Sequence, residues 1–541
     1  MAEMTGAQAL LATLAAAGVD VCFTNPGTSE MHFVQALDSV PGMRGVLAVF
    51  EGVATGAADG YARIAGRPAA VLLHLGPGLA NGMANLHNAR RANSPVVCLV
   101  GAHATDHVRY DAPLQSDIEA AARTVSGWVH TSGTTRGLAG DVARAIAASG
   151  QDGGQVATLV VPADLSWETG GQPAAPRPAA TRAPAAAQTL DEVAALLSGG
   201  DPPVLFLGGR ALSQRGLLAA SRISAATGAR LLAETFPARI EGGGGLPRVQ
   251  RLAYFPDQAD KQLAGVRQLV LAGARAPVAF FGYPGRRGDL VPEDCVVTAL
   301  ADRSQDVEAA LEELAARVAA GTEPVMTEPA AGGPVAGGPA AGGPVAAGAG
   351  ASAEPADEPL TALNLAGVLA ASLPDQAIVV DEGNTSSLGL PTALAGAARH
   401  SLLTLTGGAI GQGLPVATGA AVAAPGRPVV ALEADGSALY TIQALWTQAR
   451  ERLNVTTVLI NNAAYAVLRV ELARTGAGQA GPRAARLLDL SDPVTDFTAV
   501  STGLGVPATR VTTTAGLDQA LRRAYAEPGP HLIEAIVPPV A

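Results

Sequence analysis

Short runs rich in β-branched residues alternate with alanine-rich segments along most of this chain, and this alternation constrains the fold most strongly. Runs such as Val96 to Val100 favour strands, whereas the alanine-rich segments between them favour helices. Strands that are separated by helices pair in parallel and need helices on both faces of the sheet. The pattern predicts an α/β fold of doubly wound parallel sheets, in which ligands bind at the carboxyl ends of the strands.

Two stretches interrupt the alternation and divide the chain into three pieces. Residues 167–187 carry repeated prolines, which disfavour helix, and residues 321–359 carry near-repeats of glycine, proline and alanine that cannot build a core. We expect the first stretch to be a linker and the second to be a mobile surface tether. Doubly wound domains are therefore predicted at 1–166, 188–320 and 360–541.

The composition argues against several classes of function. The 541 residues include 36 basic and 47 acidic side chains, and the net charge of −11 disfavours nucleic acid or an anionic membrane as partner. Lys261, the only lysine, lies outside any GxxxxGK[ST] loop, which excludes a Walker-type phosphate site. Three distant cysteines form no disulfide or metal motif, and the N-terminus lacks a basic leader. We expect a cytoplasmic protein.

Polar residues follow two predicted strands of the third piece. Asp435 follows the run Val429 to Leu432, and Asn462 follows the run Val455 to Ile460. The segment between them is long enough for one helix and one returning strand, so Asp435 and Asn462 are expected at the same edge of one sheet. Carboxylate and amide oxygens, together with phosphate oxygens, are ligands that Mg²⁺ prefers. The spacing predicts a site for magnesium and a phosphorylated ligand.

The segments ADGS and NN could each be an ordinary turn, but together they resemble the GDG and NN motif of thiamine diphosphate enzymes. One residue departs from that motif, because Ala434 stands where the family has its first glycine. The resemblance covers nearly all of the chain and points to the superfamily of acetolactate synthase, benzoylformate decarboxylase and pyruvate decarboxylase. It implies that the first domain binds the pyrimidine, that the second is a central domain, and that the third binds the diphosphate.

The resemblance also implies which residues of the third domain hold the metal. Asp435 and Asn462 would bind Mg²⁺ through their side chains, and Ala464 would bind it through its backbone carbonyl. Gly436 would let the backbone approach the diphosphate, and the hydroxyl of Ser437 would donate a hydrogen bond to it.

Two further segments of the third domain resemble cofactor-binding elements of the family. In DEGNTS, Asn384 and Thr385 would form hydrogen bonds with the diphosphate. In GGAIG, the carbonyl of Gly408 would accept a hydrogen bond from the aminopyrimidine, and Ile410 would keep the two cofactor rings bent against each other. A glycine-rich turn before a helix is the alternative for GGAIG.

The apolar run Val46 to Phe50 predicts a buried strand that ends at Glu51. Gly52, Gly56 and Gly60 follow and form a bare stripe on one helix face. We expect another element to pack closely on that face. A carboxyl removed from water there suits proton exchange near neutral pH, although an acid at a helix N-terminus is the alternative. The segment FEGVATGAADGYAR is similar to the family's catalytic-glutamate helix. The resemblance implies that Glu51 activates a cofactor held by another subunit, in a homodimer or homotetramer.

The first domain also carries candidate substrate residues. His74 lies in a segment similar to the one that holds an active-site histidine in benzoylformate decarboxylase, although a core histidine is the alternative. Thr28 lies in NPGT, which resembles that enzyme's NPGS turn and implies binding of a substrate carboxylate. We also expect Gln115 to line the pocket.

The second histidine of the decarboxylase has no counterpart, because Phe280, Phe281, Gly282 and Tyr283 occupy that stretch. Without this proton donor, the enamine left after decarboxylation of a 2-oxo acid is expected to add to a second carbonyl compound, as in acetolactate synthase. The alternative is a benzoylformate-type decarboxylase that releases an aldehyde.

Two other functions remain as alternatives. A nicotinamide oxidoreductase would need GxGxxG, and GGRALSQRG after Val204 to Leu207 matches it poorly. The second alternative is a catalytically silent subunit that binds the cofactor. We do not expect flavin, because the central domain lacks an arginine-rich stretch like that of the true synthases.

Overall fold

The computed structural model of the chain describes residues 3–178, 180–200, 202–328 and 357–538. Within these residues the strands form three mainly parallel sheets, which confirms the predicted class of fold. The predicted tether at 321–359 lies mostly outside the described residues. The bounds of the three domains and two linkers stay predictions.

The first sheet is formed by strands of the first piece of the chain. Its strands are β1 (Val21–Thr24), β2 (Arg44–Leu47), β3 (Ala69–Leu73), β4 (Val96–Ala102), β5 (Trp128–Thr131) and β6 (Val156–Pro162). Their order is β2-β1-β3-β4-β6-β5, with all neighbours parallel. The helices are α1 (Gly6–Ala16), α2 (Met31–Ala36), α3 (Glu51–Ala65), α4 (Leu75–Ala92), α5 (Ile118–Arg123), α6 (Thr135–Ser149) and α7 (Ala163–Trp167). The strand order reverses between β1 and β3, where a crevice forms at the carboxyl ends.

The second sheet follows the proline-rich stretch. Strands of this piece are β7 (Val204–Leu207), β8 (Arg230–Ala233), β9 (Ile240–Gly242), β10 (Gln250–Arg251), β11 (Gln268–Ala272) and β12 (Val296–Ala301). All except β9 form a parallel sheet in the order β10-β8-β7-β11-β12. The helices are α8 (Ala187–Leu197), α9 (Gln214–Thr227), α10 (Pro256–Leu263) and α11 (Val307–Val318).

The third sheet contains β13 (Ala377–Glu382), β14 (His400–Thr404), β15 (Val429–Ala434), β16 (Val455–Asn461), β17 (Ala508–Val511) and β18 (His531–Ile536). Its order is β17-β18-β16-β15-β13-β14-β9, and β9 from the second piece pairs antiparallel with β14 at the edge. The order reverses between β13 and β15, so a ligand crevice is expected at their carboxyl ends.

The helices of the third piece cover both faces of this sheet. They are α12 (Ala362–Ser372), α13 (Leu390–Leu394), α14 (Gly413–Ala423), α15 (Asp435–Thr441), α16 (Ala444–Glu451), α17 (Ala466–Arg474), α18 (Pro482–Arg486), α19 (Phe497–Gly503) and α20 (Thr514–Ala526). None of the helices within the described ranges is long and apolar enough to cross a membrane.

Helix α3 packs directly on α14, and this contact joins the first and third pieces. A Cβ atom at Gly56 would lie 2.5 Å from Cβ of Pro415, and one at Gly60 would collide with the carbonyl of Val416. The predicted close packing on the glycine stripe is therefore confirmed at these two positions. It places the helix that begins with Glu51 next to the helix that follows the GGAIG segment.

Candidate active site

Asp435 is the first residue of α15 and follows β15 directly. Its Oδ1 accepts a hydrogen bond from the N–H of Gly436 at 2.8 Å, and its Oδ2 accepts from the N–H groups of Asn462 and Ala463 at 3.1 and 2.7 Å. The side chain is buried, and burial raises the pKa of its carboxyl while the backbone donors oppose that change. Because β15 and β16 are neighbours, Asp435 and Asn462 lie at the same sheet edge as predicted.

Asn462 and Ala464 follow β16 in a tight turn. Asn462 donates from Nδ2 to Oγ of Ser386 at 3.3 Å and accepts at Oδ1 from the N–H of Ala464 at 3.0 Å. Ala463 between them has a φ of +55°, which reverses the backbone. One carboxylate, one amide oxygen and one backbone carbonyl are thus gathered beside each other, and this set of oxygen donors fits Mg²⁺.

Residues that follow β13 face the same edge. Asn384 donates from Nδ2 to Oγ of Ser437 at 2.9 Å, and the buried Thr385 lies next to it in the same short helical turn. Ala434, the departure from the family motif, has a φ of −78° and a ψ of 147°, which any L residue adopts. The extra methyl group is therefore accommodated without backbone strain.

A cavity of about 1,800 Å³ opens at this edge, between the second and third pieces of the chain. The predicted cofactor residues that line it are Asn384, Thr385, Gly408, Ile410, Asp435, Gly436, Ser437, Asn462 and Ala464. Aromatic side chains of the second piece line the opposite wall, including Tyr254, Phe280 and Phe281. The cavity exceeds the volume of about 300–1,000 Å³ that is usual for small-molecule sites, so it has room for a cofactor and a substrate.

The segment 407–411 forms one wall of the cavity. Gly408 has a φ of +75°, and a Cβ atom there would collide with the ring of Phe280. Behind the segment, Oε1 of the buried Glu382 accepts the N–H of Gly411 at 2.7 Å, and Oε2 accepts the N–H of Gly413. Burial raises the pKa of Glu382 to about 7. Sequence reasoning quoted Glu382 in its motif but missed this role as an acceptor for the start of α14.

Glu51 begins α3 and is 7% exposed. Its carboxylate accepts hydrogen bonds from Nδ2 of Asn25 at 3.2 Å and from Nδ2 of Asn81 at 3.0 Å. Within the described residues of the single chain, Glu51 does not line the large cavity. In the single chain, the described hydrogen bonds of the Glu51 carboxylate go to Asn25 and Asn81 and not to Asp435 or Asn462.

His74 and Thr28 lie at the crevice between β1 and β3 of the first sheet. Nδ1 of His74 is 2.8 Å from Oε2 of Glu30, which also accepts the N–H of Gly27 at 2.9 Å. Thr28 is exposed at the start of the short turn Thr28–Glu30. Burial raises the pKa of Glu30, and the neighbouring His74 opposes that change. Sequence reasoning missed Glu30, although an acid two residues after Thr28 was visible.

Gln115 lines a separate cavity of about 510 Å³ in the first piece, together with Leu75 and His103. Neither His74 nor Thr28 lines this smaller cavity, although Leu75 directly follows His74 in the chain. Within one chain, the structure does not bring Gln115 to the cavity that contains Asp435.

Comparison with known proteins matches the two ends of the chain to one family. Residues 4–122 match the description "Thiamine pyrophosphate enzyme, N-terminal TPP binding domain", and residues 387–535 match the corresponding C-terminal TPP binding domain. A protein of Mycobacterium tuberculosis, named "Putative acetolactate synthase large subunit IlvX", is 57% identical over 539 residues, which cover 99% of both chains.

The chain belongs to the thiamine pyrophosphate enzyme family. A benzoylformate decarboxylase of Pseudomonas aeruginosa is 28% identical to this chain, with 96% of both chains covered. A solved thiamine diphosphate-dependent 4-hydroxybenzoylformate decarboxylase of Rhodococcus jostii shares the fold, with a TM-score of 0.81, 24% identity and 99% of both chains covered.

The family confirms the predicted cofactor, thiamine diphosphate, and the predicted class of enzyme. This thiamine diphosphate-dependent enzyme has relatives named both as acetolactate synthases and as benzoylformate decarboxylases. Membership contradicts the alternative of a nicotinamide oxidoreductase. The roles of individual residues stay predictions.

Proposed function

We propose that the chain uses thiamine diphosphate and Mg²⁺ to decarboxylate a 2-oxo acid and to join the remaining fragment to a second carbonyl compound. The observation that carries this proposal is the set of oxygen donors at Asp435, Asn462 and Ala464, which opens on the same cavity as Gly408. When bound, thiamine diphosphate supplies the carbon nucleophile for the ketone and the electron sink for the loss of CO₂.

The third domain would hold the cofactor by its diphosphate. Asp435, Asn462 and the carbonyl of Ala464 would bind Mg²⁺, and the metal would supply positive charge to offset the diphosphate. Asn384, which already contacts Ser437 at 2.9 Å, would donate to the diphosphate together with neighbouring hydroxyl groups. These side chains are mostly buried, so their positions are set before the cofactor arrives.

Segment 407–411 would orient the pyrimidine ring. The carbonyl of Gly408 would accept a hydrogen bond from the exocyclic amine, and Ile410 would keep the two rings bent. Glu51 would hold a proton at the pyrimidine nitrogen. Because Glu51 does not line the cavity of its own chain, we propose that each site takes Glu51 from a second copy, in a homodimer or homotetramer.

The first domain would bind the substrate carboxylate. Glu30 holds Nδ1 of His74, which fixes the orientation of the ring and directs Nε2 away from Glu30. Nε2 of His74 and the exposed hydroxyl of Thr28 would then donate to the carboxylate of a 2-oxo acid. Gln115 would line the substrate pocket.

The outcome after CO₂ loss depends on proton donors near the reacting carbon. Phe280 and Phe281 occupy the stretch in which the decarboxylase would carry its second histidine, and their rings cannot supply a proton, although the hydroxyl of Tyr254 lines the same cavity. This supports carboligation over aldehyde release. His74 favours the second candidate, a benzoylformate-type decarboxylase, because it lies in a segment similar to the one that holds an active-site histidine in that enzyme.

Product analysis separates the two reactions. We would incubate the purified protein with thiamine diphosphate, MgCl₂ and either pyruvate or benzoylformate, and identify the products by mass spectrometry. The proposal predicts a 2-hydroxy-ketone product and little free aldehyde. Free aldehyde as the main product would favour the second candidate. Unchanged turnover on substituting Glu51→Gln in an active preparation that also contains a catalytic partner would support a catalytically silent subunit.

A further inference from the structure

Asn88 of helix α4 forms a two-point contact with the backbone of Ala409. Its Nδ2 donates to the carbonyl of Ala409 at 2.7 Å, and its Oδ1 accepts the N–H of Ala409 at 3.2 Å. Asn88 is fully buried, so water cannot replace either hydrogen bond. The side-chain amide thus pairs with this peptide group as a neighbouring strand would.

Two other polar side chains of α4 contact the same segment on either side of Ala409. Nε2 of His87 lies 3.2 Å from the carbonyl of Gly407, and Nδ2 of Asn85 donates to the carbonyl of Gly411 at 3.1 Å. Helix α4 therefore holds every second residue of segment 407–411.

The residues between these contacts are Gly408 and Ile410, and both line the large cavity. Because the alternate peptide groups are fixed from behind, the direction in which Gly408 and Ile410 face is fixed as well.

The contact of Asn88 belongs to a fully satisfied network. Its Nδ2 also donates to Oδ1 of Asn85 at 3.0 Å, and its backbone carbonyl accepts from Oγ1 of Thr406 at 2.8 Å. A buried polar network of this kind is rigid, because any displacement leaves a donor or an acceptor unpaired. Removal of Asn88 would release segment 407–411 without touching the residues that follow β15 and β16.

We propose that Asn88 is a positioning residue for the pyrimidine half of thiamine diphosphate, which it controls through Ala409. The inference rests on the proposed function of segment 407–411. Asn88 is not proposed to touch the cofactor. We therefore expect the loss of Asn88 to weaken binding of the pyrimidine half and not of the diphosphate half, because the diphosphate half is held by other elements.

The test compares two ligands on protein freed of cofactor. Thiamine diphosphate and inorganic pyrophosphate, each with Mg²⁺, would be titrated into wild type and Asn88→Ala by calorimetry. We expect Asn88→Ala to bind thiamine diphosphate about tenfold more weakly or worse. Pyrophosphate should bind with nearly unchanged affinity. Equal weakening for both ligands, or no weakening for either, would overturn the inference.

Thr447→Val is the matched control. Thr447 is as deeply buried as Asn88, and its Oγ1 donates to the carbonyl of Leu47 at 3.1 Å, so it also joins the first and third pieces. It lies away from segment 407–411. The control should lose stability without a change in affinity for either ligand, and a matching loss of thiamine diphosphate affinity would count against Asn88 as a specific positioning residue.

Hydrogen exchange of the wild-type chain tests the inference even if Asn88→Ala does not fold. The N–H of Ala409 should exchange slowly both with and without cofactor, and rapid exchange without cofactor would contradict the inference. A wild-type chain that fails to bind thiamine diphosphate would contradict the proposed function, whereas normal binding with an unaffected variant would contradict the inference alone.

Discussion

Nδ1 of His74 lies 2.8 Å from Oε2 of Glu30, although the two residues follow different strands of the first sheet. Glu30 is buried and His74 is partly exposed, so the pair has one end in the protein and one end in the crevice. This relationship gives the ring of His74 a defined orientation in the crevice. Any effect of Glu30 on catalysis would therefore act through the ring of His74.

Glu30→Gln should lower kcat/KM for 2-oxo acids by about tenfold or more, because the amide cannot stabilise a positive charge on His74. Affinity for thiamine diphosphate should stay unchanged, since the described hydrogen bonds of Glu30 go to Gly27 and His74 and not to residues proposed to hold the cofactor. Steady-state kinetics and cofactor titration check both expectations. Glu312→Gln, an exposed change in the second piece, is the control. Equal kinetics for the two variants would contradict the role of Glu30.

Asp435→Asn should weaken the binding of thiamine diphosphate by about tenfold or more, because it removes the negative charge that is proposed to hold Mg²⁺. Removal of metal from the wild type with EDTA should abolish activity, and added MgCl₂ should restore it. Asp489→Asn is a control with an exposed carboxyl near the same site. Full activity in the presence of EDTA would contradict the metal site.

Phe281→His should increase the share of substrate that leaves as free aldehyde, because it places a proton donor in the wall of the large cavity. The ratio of aldehyde to carboligation product, measured by chromatography, checks this. Val278→His adds a histidine to the same stretch at a residue that is 67% exposed and should not change the ratio. A ratio that is the same in Phe281→His and wild type would contradict the assignment.

Glu234→Gln should change how stability depends on pH. Glu234 follows β8, accepts the N–H of Gly209 at 3.2 Å, and keeps part of its side chain exposed. Burial of the carboxyl raises its pKa from 4.5 to about 7. The folded chain therefore holds this proton more tightly than the unfolded chain, and the resulting stability is present below about pH 4.5 and is lost as the pH rises through about 7.

The neutral glutamine has no such dependence, so Glu234→Gln should gain stability relative to the wild type as the pH rises from 5 to about 8. Denaturant unfolding at several pH values checks the trend, with the exposed Glu323→Gln as control. Parallel curves for Glu234→Gln and wild type across this range would show that the carboxyl is not perturbed.

Sequence reasoning succeeded where function depends on neighbouring strands joined by one crossover. Asp435 and Asn462 meet because β15 and β16 are consecutive in the chain and adjacent in the sheet. The glycine stripe of α3 similarly predicted a close neighbour, because missing side chains leave a visible pattern. The partner, α14, could not be named, since nothing local specifies which helix fills the groove.

Contacts between distant segments could not be predicted. Glu30 meets His74 only because the carboxyl ends of β1 and β3 adjoin, and Glu382 meets Gly411 across 29 positions of sequence. The run Val46 to Phe50 predicted a strand up to Glu51, but β2 ends at Leu47 and Glu51 begins α3. That boundary depends on tertiary packing, which overrides β propensity at strand ends.

Co-expression of Glu51→Gln with Asp435→Asn tests the central claim, that each active site combines Glu51 of one copy with Asp435 of another. Each variant alone should be nearly inactive. Random pairing of the two should produce mixed dimers with one intact site, and we expect roughly a quarter of wild-type activity. A mixture as inactive as either parent, although mixed dimers are present by native mass spectrometry, would contradict the shared site.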